Sequence, residues 1–230
     1  MVSFYAAGLA RIHDDGYGDF PRAAACELLR RVRRPGLVVE LGCGTGISSE
    51  IIAGAGHDVL GIDISPDMVA LARRRVPSAR FEAGSIWDAS LPPCIAATAI
   101  GEVINYTADA RAGAEHLPEL FGRIYEALLP GGRFLFDFAT PGRGTQGVSG
   151  RSGSDWRIEV TNVEEQGTLE RRMTFEIGER RYEELHRLRL YEPEAVRQLL
   201  EDQGFAAEPL TRYCDFRWGS GYAAFAASVG

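Results

Sequence analysis

The feature that most constrains this chain is an alternation of short apolar runs with helix-period segments, with a glycine-dense turn after the first run. Leu37 to Leu41 reads as a strand that enters Gly42-Cys43-Gly44-Thr45-Gly46, and a helix from Ile47 to Ala55 stops at Gly56. A second strand spans Asp58 to Asp63. The next helix opens on Ser65-Pro66-Asp67, with a serine cap, proline in the first turn and an acid beside it, and runs to Arg75. Strands follow at 80–83, 95–100 and 133–138. A helix from Leu117 to Leu129, closed by Pro130-Gly131-Gly132, precedes the last of them. Strands that alternate with helices this way predict a parallel, doubly wound α/β sheet.

The pattern changes at Pro141. Residues 141–155 are rich in glycine and serine without periodicity and read as a loop. Three runs, 156–163, 167–176 and 180–191, then alternate with period two, as in Leu169, Arg171, Met173 and Phe175. They predict an antiparallel excursion laid over the α/β core. Residues 19–34 and 193–203 have helical spacing, and 221–228 reads as a last strand. The expected organisation is one domain over 1–230. It comprises an N-terminal lid and helix (1–34), a core (35–140), a loop and antiparallel cap (141–191) and a closing part of the core (192–230). Segments 1–20 and 141–155 read as mobile covers beside the carboxyl ends of the parallel strands.

Charge removes whole classes of function. The 230 residues carry 25 basic and 32 acidic side chains, a net charge of −7, which is not the footprint of a general nucleic-acid binder. Every basic residue is arginine; there is no lysine. That excludes a Schiff-base lysine and the lysine of a P-loop. Cys26, Cys43, Cys94 and Cys214 are too scattered for a zinc knuckle or a disulfide framework. His13, His57, His116 and His186 form no metal-binding cluster, so no metal is expected. No run approaches membrane-span length and the first residues lack a signal-peptide pattern. A cytoplasmic protein without membrane or nucleic-acid partners, monomeric or homodimeric, is the expectation.

The glycine turn carries the chemistry. Glycines between a strand and a helix let backbone approach a ligand under the helix N–H groups. A dinucleotide fingerprint needs a third glycine at position 47, where this chain has Ile47. Asp63 ends the second strand 21 residues after Gly42, the distance at which an acid meets ribose hydroxyls.

In combination, Glu40 to Gly46, Gly61-Ile62-Asp63-Ile64-Ser65-Pro66-Asp67-Met68, Phe81 to Ile86, a strand ending in Gly101-Glu102, and Leu128 to Asp137 resemble the class I S-adenosylmethionine-dependent methyltransferases. The resemblance covers nearly the whole chain. Its antiparallel excursion is similar to that of the small-molecule branch, including amino-sugar and glycine N-methyltransferases. It implies a Rossmann-like, mostly parallel seven-stranded sheet with the excursion between strands 5 and 6. It also implies S-adenosyl-L-methionine as cofactor. By position, Glu40, Leu41, Gly42, Cys43, Gly44, Gly46 and Ile47 would line its methionine and ribose side. Asp63 would hold the ribose, Ile64 and Met68 would flank adenine, and Gly84, Ser85 and Ile86 would adjoin it. Ser85 departs from the family's usual Asp. Gly101 and Glu102 would face the sulfonium and the acceptor. Tyr5, His13 and Tyr17 lie in a segment that resembles the family's cofactor-covering lid, or form a loop turning at Asp15-Gly16.

Acceptor candidates are Tyr17, Tyr106 and Asp137, the last either facing the acceptor or a solvated strand end. Glu102, His186 and His13 are candidate general bases; His186 is otherwise a strand residue paired across the sheet. The arginines at 171, 172, 180, 181, 187 and 189 are either a solvated face or a holder of an acceptor carboxylate or phosphate. The expected function is in-line methyl transfer to N or O of a small acceptor. The alternatives are a non-catalytic nucleoside-binding module and a nicotinamide-dependent oxidoreductase.

Overall fold

The computed structural model describes residues 7–146 and 148–230. Two helices come first, α1 (Ala7–Gly16) and α2 (Asp19–Arg31). The core then runs β1 (Leu37–Leu41), α3 (Ile47–Gly54), β2 (Asp58–Asp63), α4 (Pro66–Arg75), β3 (Arg80–Ala83), β4 (Cys94–Ala99), α5 (Leu117–Ala127) and β5 (Leu128–Ala139). A second sheet follows: β6 (Val148–Ser152), β7 (Trp156–Glu165), β8 (Thr168–Ile177) and β9 (Arg180–Arg189). The chain closes with α6 (Pro193–Asp202), β10 (Ala206–Leu210), a small hairpin of β11 (Arg212–Tyr213) and β12 (Phe216–Arg217), and β13 (Tyr222–Ser228).

The main sheet has seven strands in the order β10-β13-β5-β4-β1-β2-β3. β1 to β5 are mutually parallel, and β13 runs antiparallel between β5 and β10. From β1 the chain moves outward to β2 and β3, then returns to the other side of β1 as β4. The order therefore reverses between β1 and β4, and a crevice opens at their carboxyl ends.

Both faces of the sheet are covered, so β4 is buried along its whole length and reads as a continuous apolar run. On one face Phe134, Phe136 and Phe138 take alternate positions of β5 and form a row, with ring centroids 4.5 Å and 5.8 Å apart. Phe121 of α5 packs on Phe134 and Phe136 at 6.0 Å and 5.6 Å. The other face packs Ala24 and Leu28 of α2 and Ile52 of α3 against Val38 and Leu135.

The structure corrects several expectations. Residues 7–16 are a helix, whose Leu9 and Ile12 share a core with Trp156, Ile158, Met173 and Phe175 of the second sheet. Those partners lie about 145–165 residues further along the chain, where no local pattern could name them. The 141–155 segment is not structureless: it carries a 3-10 turn at 143–146 and strand β6. β6 is exposed throughout and holds its place by backbone pairing with β7, which leaves no period-two signature in the side chains. The cap is thus four-stranded. α5 ends at Ala127, two residues before the expected end, because Leu128 already pairs with Cys94. The strand β10 completes the expected seven, though no apolar run had marked its place, and the β11–β12 hairpin was not foreseen. Among the described residues no helix is long and apolar enough to cross a membrane.

Removing the Phe121 ring is expected to cost about 3–5 kcal/mol, because it is fully enclosed between α5 and β5. Val148→Ala, at an exposed position, should stay within about 0.5 kcal/mol of the parent. Urea unfolding of both variants checks the contrast.

Candidate functional site

The glycine turn is built on β2. The N–H groups of Gly42 and Cys43 both donate to Ile62 O, at 2.7 Å and 3.1 Å. Gly42 has φ +72, and a Cβ there would overlap the side chain of Val103. Gly44, at φ +53, donates its N–H to Asp63 Oδ2 at 2.9 Å, and Ser65 N–H donates to Oδ1 at 2.9 Å. A Cβ on Gly44 would meet no atom within 4 Å; it points into open space. Burial pushes the Asp63 carboxyl above its ordinary range, and the two N–H groups oppose the shift. Glu40 is fully enclosed on β1 and accepts hydrogen bonds from the hydroxyls of Ser48 and Ser49 on α3. Its carboxyl is also raised by burial.

These groups form one end of a cavity of about 590 Å³. It runs from the carboxyl ends of β1 and β2, past β4, to the inner face of the cap. Of the residues singled out in the sequence, Glu40, Gly42, Cys43, Gly44, Ile47, Asp63, Ile64, Met68, Ser85, Ile86, Gly101, Glu102, His13, Tyr17 and Tyr106 are on its wall. Leu41, Gly46, Gly84, Asp137 and His186 are not among the lining residues. Tyr5 lies outside the described residues.

Asp137 is buried behind the wall, not facing the cavity. Its carboxylate accepts the N–H of Gly101 at 3.0 Å, the N–H of Glu102 at 2.8 Å and the Tyr213 hydroxyl at 3.3 Å. Burial raises its pKa to about 7 against those hydrogen bonds. The carboxylate thereby holds the turn that presents Glu102, itself at φ +62.

Glu102 is enclosed and doubly paired. Arg143 Nε donates to Oε1 at 2.6 Å, and Arg171 donates NH1 to Oε2 at 2.7 Å and NH2 to Oε1 at 3.3 Å. Desolvation alone would raise its pKa; the two guanidinium groups overcome it and hold the carboxyl down to about 2. A carboxylate so stabilised is a poor general base. Around it, Arg171 also donates to Tyr106 OH at 3.3 Å and to Asn162 Oδ1 at 3.3 Å, and Arg143 donates to Tyr222 OH at 3.2 Å.

The two histidines diverge. His13 is on the cavity wall, 5.8 Å from the Tyr17 ring, and burial lowers its pKa to about 4. His186 is buried in β9 with Nε2 2.9 Å from Glu184 Oε2 and the Tyr106 ring edge-on at 5.6 Å. Burial lowers its pKa as well. The helix that carries His13 is pinned at both ends of the cavity. Asp14 pairs with Arg75 at 2.7 Å and accepts from Thr45 Oγ1, while Asp15 accepts from Trp156 Nε1 at 3.2 Å.

Sequence reasoning did not single out Arg143, Asn162, Trp218 or Tyr222, which are all on the wall. It left Arg171 undecided within a charged run. The signal for Arg171 was present: it shares the inward face of β8 with Leu169, Met173 and Phe175. Nothing local marks Arg143, whose position depends on Gly221 packing against its backbone.

Because the folded pKa of Glu102 is depressed, its contribution to stability is complete above the ordinary value of 4.5 and is lost as pH falls through about 2. Glu102→Gln leaves two guanidinium groups facing each other and should cost about 3–5 kcal/mol at neutral pH. The variant should also lose less further stability than the parent below pH 4.5. Urea unfolding as a function of pH measures both.

Residues 38–132 match the family model of a methyltransferase domain. A trans-aconitate 2-methyltransferase from Delftia acidovorans is 40% identical over 112 residues, which are 47% of this chain and 40% of that one. The match therefore spans less than half the length of that relative. Over nearly the whole chain, the crystal structure of an S-adenosylmethionine-dependent methyltransferase from Clostridium acetobutylicum superposes with a TM-score of 0.80 at 18% identity, covering 97% of this chain and 98% of that one. The sugar N-methyltransferase KedS8 from Streptoalloteichus gives 0.79 at 19%, covering 100% and 94%. Residues 38–132 are thus similar to a methyltransferase domain, and the whole chain shares the fold of these two solved methyltransferases.

Proposed function

We propose that this chain is an S-adenosylmethionine-dependent methyltransferase acting on a small anionic acceptor, a carboxylate above all, held by Arg143 and Arg171. The observation that carries the cofactor half is the pairing of Gly44 with Asp63. The open space at the Gly44 Cβ position lies beside a carboxylate whose oxygens each accept one backbone N–H. Each oxygen keeps acceptor capacity for a ligand hydroxyl, which suits the paired hydroxyls of a ribose. Ile64, Met68 and Ile86 give apolar surface on the same wall for a base. When bound, the cofactor supplies an electrophilic methyl group. The work left to the protein is to position two reactants and exclude water.

The acceptor half rests on charge. Two guanidinium groups face the single carboxylate of Glu102 on the cavity side, and Asp137 behind it, with its pKa raised to about 7, offsets the positive surplus only in part. Such a charge is costly unless a ligand anion compensates it. Among the described residues, Arg143 uses its Nε and one NH2 hydrogen, leaving three of its five N–H donors for a ligand. Tyr222 accepts from Arg143 and retains its own hydrogen to donate. Of the candidate bases on the cavity wall, Glu102 is held near 2 and His13 near 4, so neither is a strong base. An acceptor that is already nucleophilic fits this site, either an ionised carboxylate oxygen or a neutral amine. The trans-aconitate relatives, named for a tricarboxylate, favour the first. The net acidic charge and the enclosed cavity favour a small molecule over nucleic acid, and the same reading takes the protein as a cytoplasmic monomer or homodimer.

Asp63→Ala should weaken binding of S-adenosylhomocysteine by more than about a hundredfold, through loss of charge-assisted hydrogen bonds worth about 1.5–3 kcal/mol each. Calorimetry with S-adenosylhomocysteine and NAD checks this; tighter binding of NAD would overturn the cofactor assignment. Turnover of labelled S-adenosylmethionine with carboxylates separates an enzyme from a silent nucleoside binder. In that assay Arg143→Gln should raise the acceptor KM by about tenfold, some 1.4 kcal/mol, and leave the cofactor Kd unchanged. Equal KM values in parent and variant would remove the arginine from the acceptor site.

A further inference from the structure

Two cysteines outside the cavity stand in an arrangement that the site does not use. Cys26 is exposed on α2, and Cys214 lies in the turn between β11 and β12, 188 residues further along. Their sulfurs are 2.7 Å apart. A disulfide bond is about 2.05 Å long, so less than about 1 Å of movement separates these thiols from a bond. The turn is already tied to the helix, because Cys214 N–H donates to Glu27 Oε2 of α2 at 3.1 Å. The guanidinium of Arg30 is 3.9 Å from Cys214 Sγ. The other two cysteines, Cys43 and Cys94, are buried, and burial pushes both thiols up, which makes them inert.

We propose that Cys26 and Cys214 are a thiol–disulfide pair whose closure clamps the β11–β12 hairpin to α2 along one wall of the cavity. The oxidant is a low-molecular-weight disulfide, R–S–S–R. The thiolate of exposed Cys26 attacks one of its sulfurs; the S–S bond breaks and one thiolate leaves, which gives a mixed disulfide on Cys26. Cys214 then loses its proton and attacks the Cys26 sulfur, and the second thiolate leaves. The protein gives up two electrons and two protons, and the oxidant becomes two R–SH. A reducing thiol reverses both steps. Cys26 is the more exposed of the two and takes the first attack, and Cys214, held against α2 by its own N–H, takes the second.

The clamp reaches the cavity through aromatic contacts. Phe20 of α2 lines it, as do Phe216 of the hairpin and Trp218 just after it. The Phe20 ring stands 5.3 Å from Phe216 and 6.5 Å from Trp218. Tyr213 of the same hairpin donates to Asp137, which holds the Glu102 turn. A hairpin with two residues in each strand has little pairing of its own, and Tyr213 is its one buried anchor, so its outer turn belongs to the segments that open readily. A covalent tie therefore changes it more than it changes the core. In a reducing compartment the tie would be transient, as is usual for redox-sensing pairs.

The test uses the full chain and glutathione disulfide at about pH 8, near the ordinary thiol pKa. The intact mass should fall by two hydrogens, and a non-reducing peptide map should join the Cys26 and Cys214 peptides. Cys43 and Cys94 should be alkylated only after unfolding. Amide exchange at 212–218 should slow in the oxidised form, and Cys26→Ser and Cys214→Ser should each abolish the mass loss and the slowing. A glutathione adduct that persists on Cys26 without a joined peptide would overturn the pair. A joined peptide with unchanged exchange at 212–218 would overturn the clamp. Neither outcome depends on cofactor or acceptor binding.

Discussion

Asp137 accepts the backbone N–H groups of Gly101 and Glu102 and the hydroxyl of Tyr213, and the mouth of the cavity is organised around those bonds. It sits on β5, next to β4 in the sheet, so its carboxylate reaches across one strand spacing to the turn that ends β4. That turn needs a residue at positive φ, and Glu102 occupies it. With the backbone fixed, the Glu102 side chain has one place to go, between Arg143 and Arg171. A buried carboxyl inside the protein thus sets the direction of a charged one in the cavity.

The cavity divides into two halves with different physics. At the ends of β1 and β2, the wall is made of backbone and of carboxylates fixed by backbone or neighbouring hydroxyls. They therefore depend little on side-chain freedom. In the half under the cap, long arginines and tyrosines converge from β8, the turn after β5 and β13. Those side chains hold their positions through one another, and Glu102 is the group they share. Under the proposed function, changes on the cap side should therefore retune the acceptor without disturbing the glycine-turn end.

Helix α1 joins the halves. Its apolar residues belong to the core of the cap, while Asp14 is bonded to Arg75 of α4 and Thr45 of the glycine turn. A segment that in the sequence looked like a loose cover is fastened to both sides of the cavity, and His13 on the helix and Tyr17 just after it are held by packing. The ion pair with Arg75 is half-buried, a setting in which a bidentate arginine–carboxylate contact keeps geometric value beyond its modest energy.

The parallel core was legible in the sequence because each of its elements buries a local pattern. Continuous apolar strands, a serine cap at Ser65 and glycines at 42 and 44 are all statements about neighbouring residues. Asp63 was legible for the same reason, since the strand that carries it ends there whatever lies above. The direction of Asp137, the pairing of Glu102 with Arg143 and Arg171, the docking of α1 and the approach of Cys214 to Cys26 were not. Each joins residues between 35 and 188 positions apart, and no local periodicity records a partner at that distance. The sequence by itself determined the sheet and the glycine turn, through period, capping and glycine. Only the tertiary structure decided which charges meet under the cap, because a charged side chain takes its place from the groups that neutralise it, and those arrive from other parts of the chain.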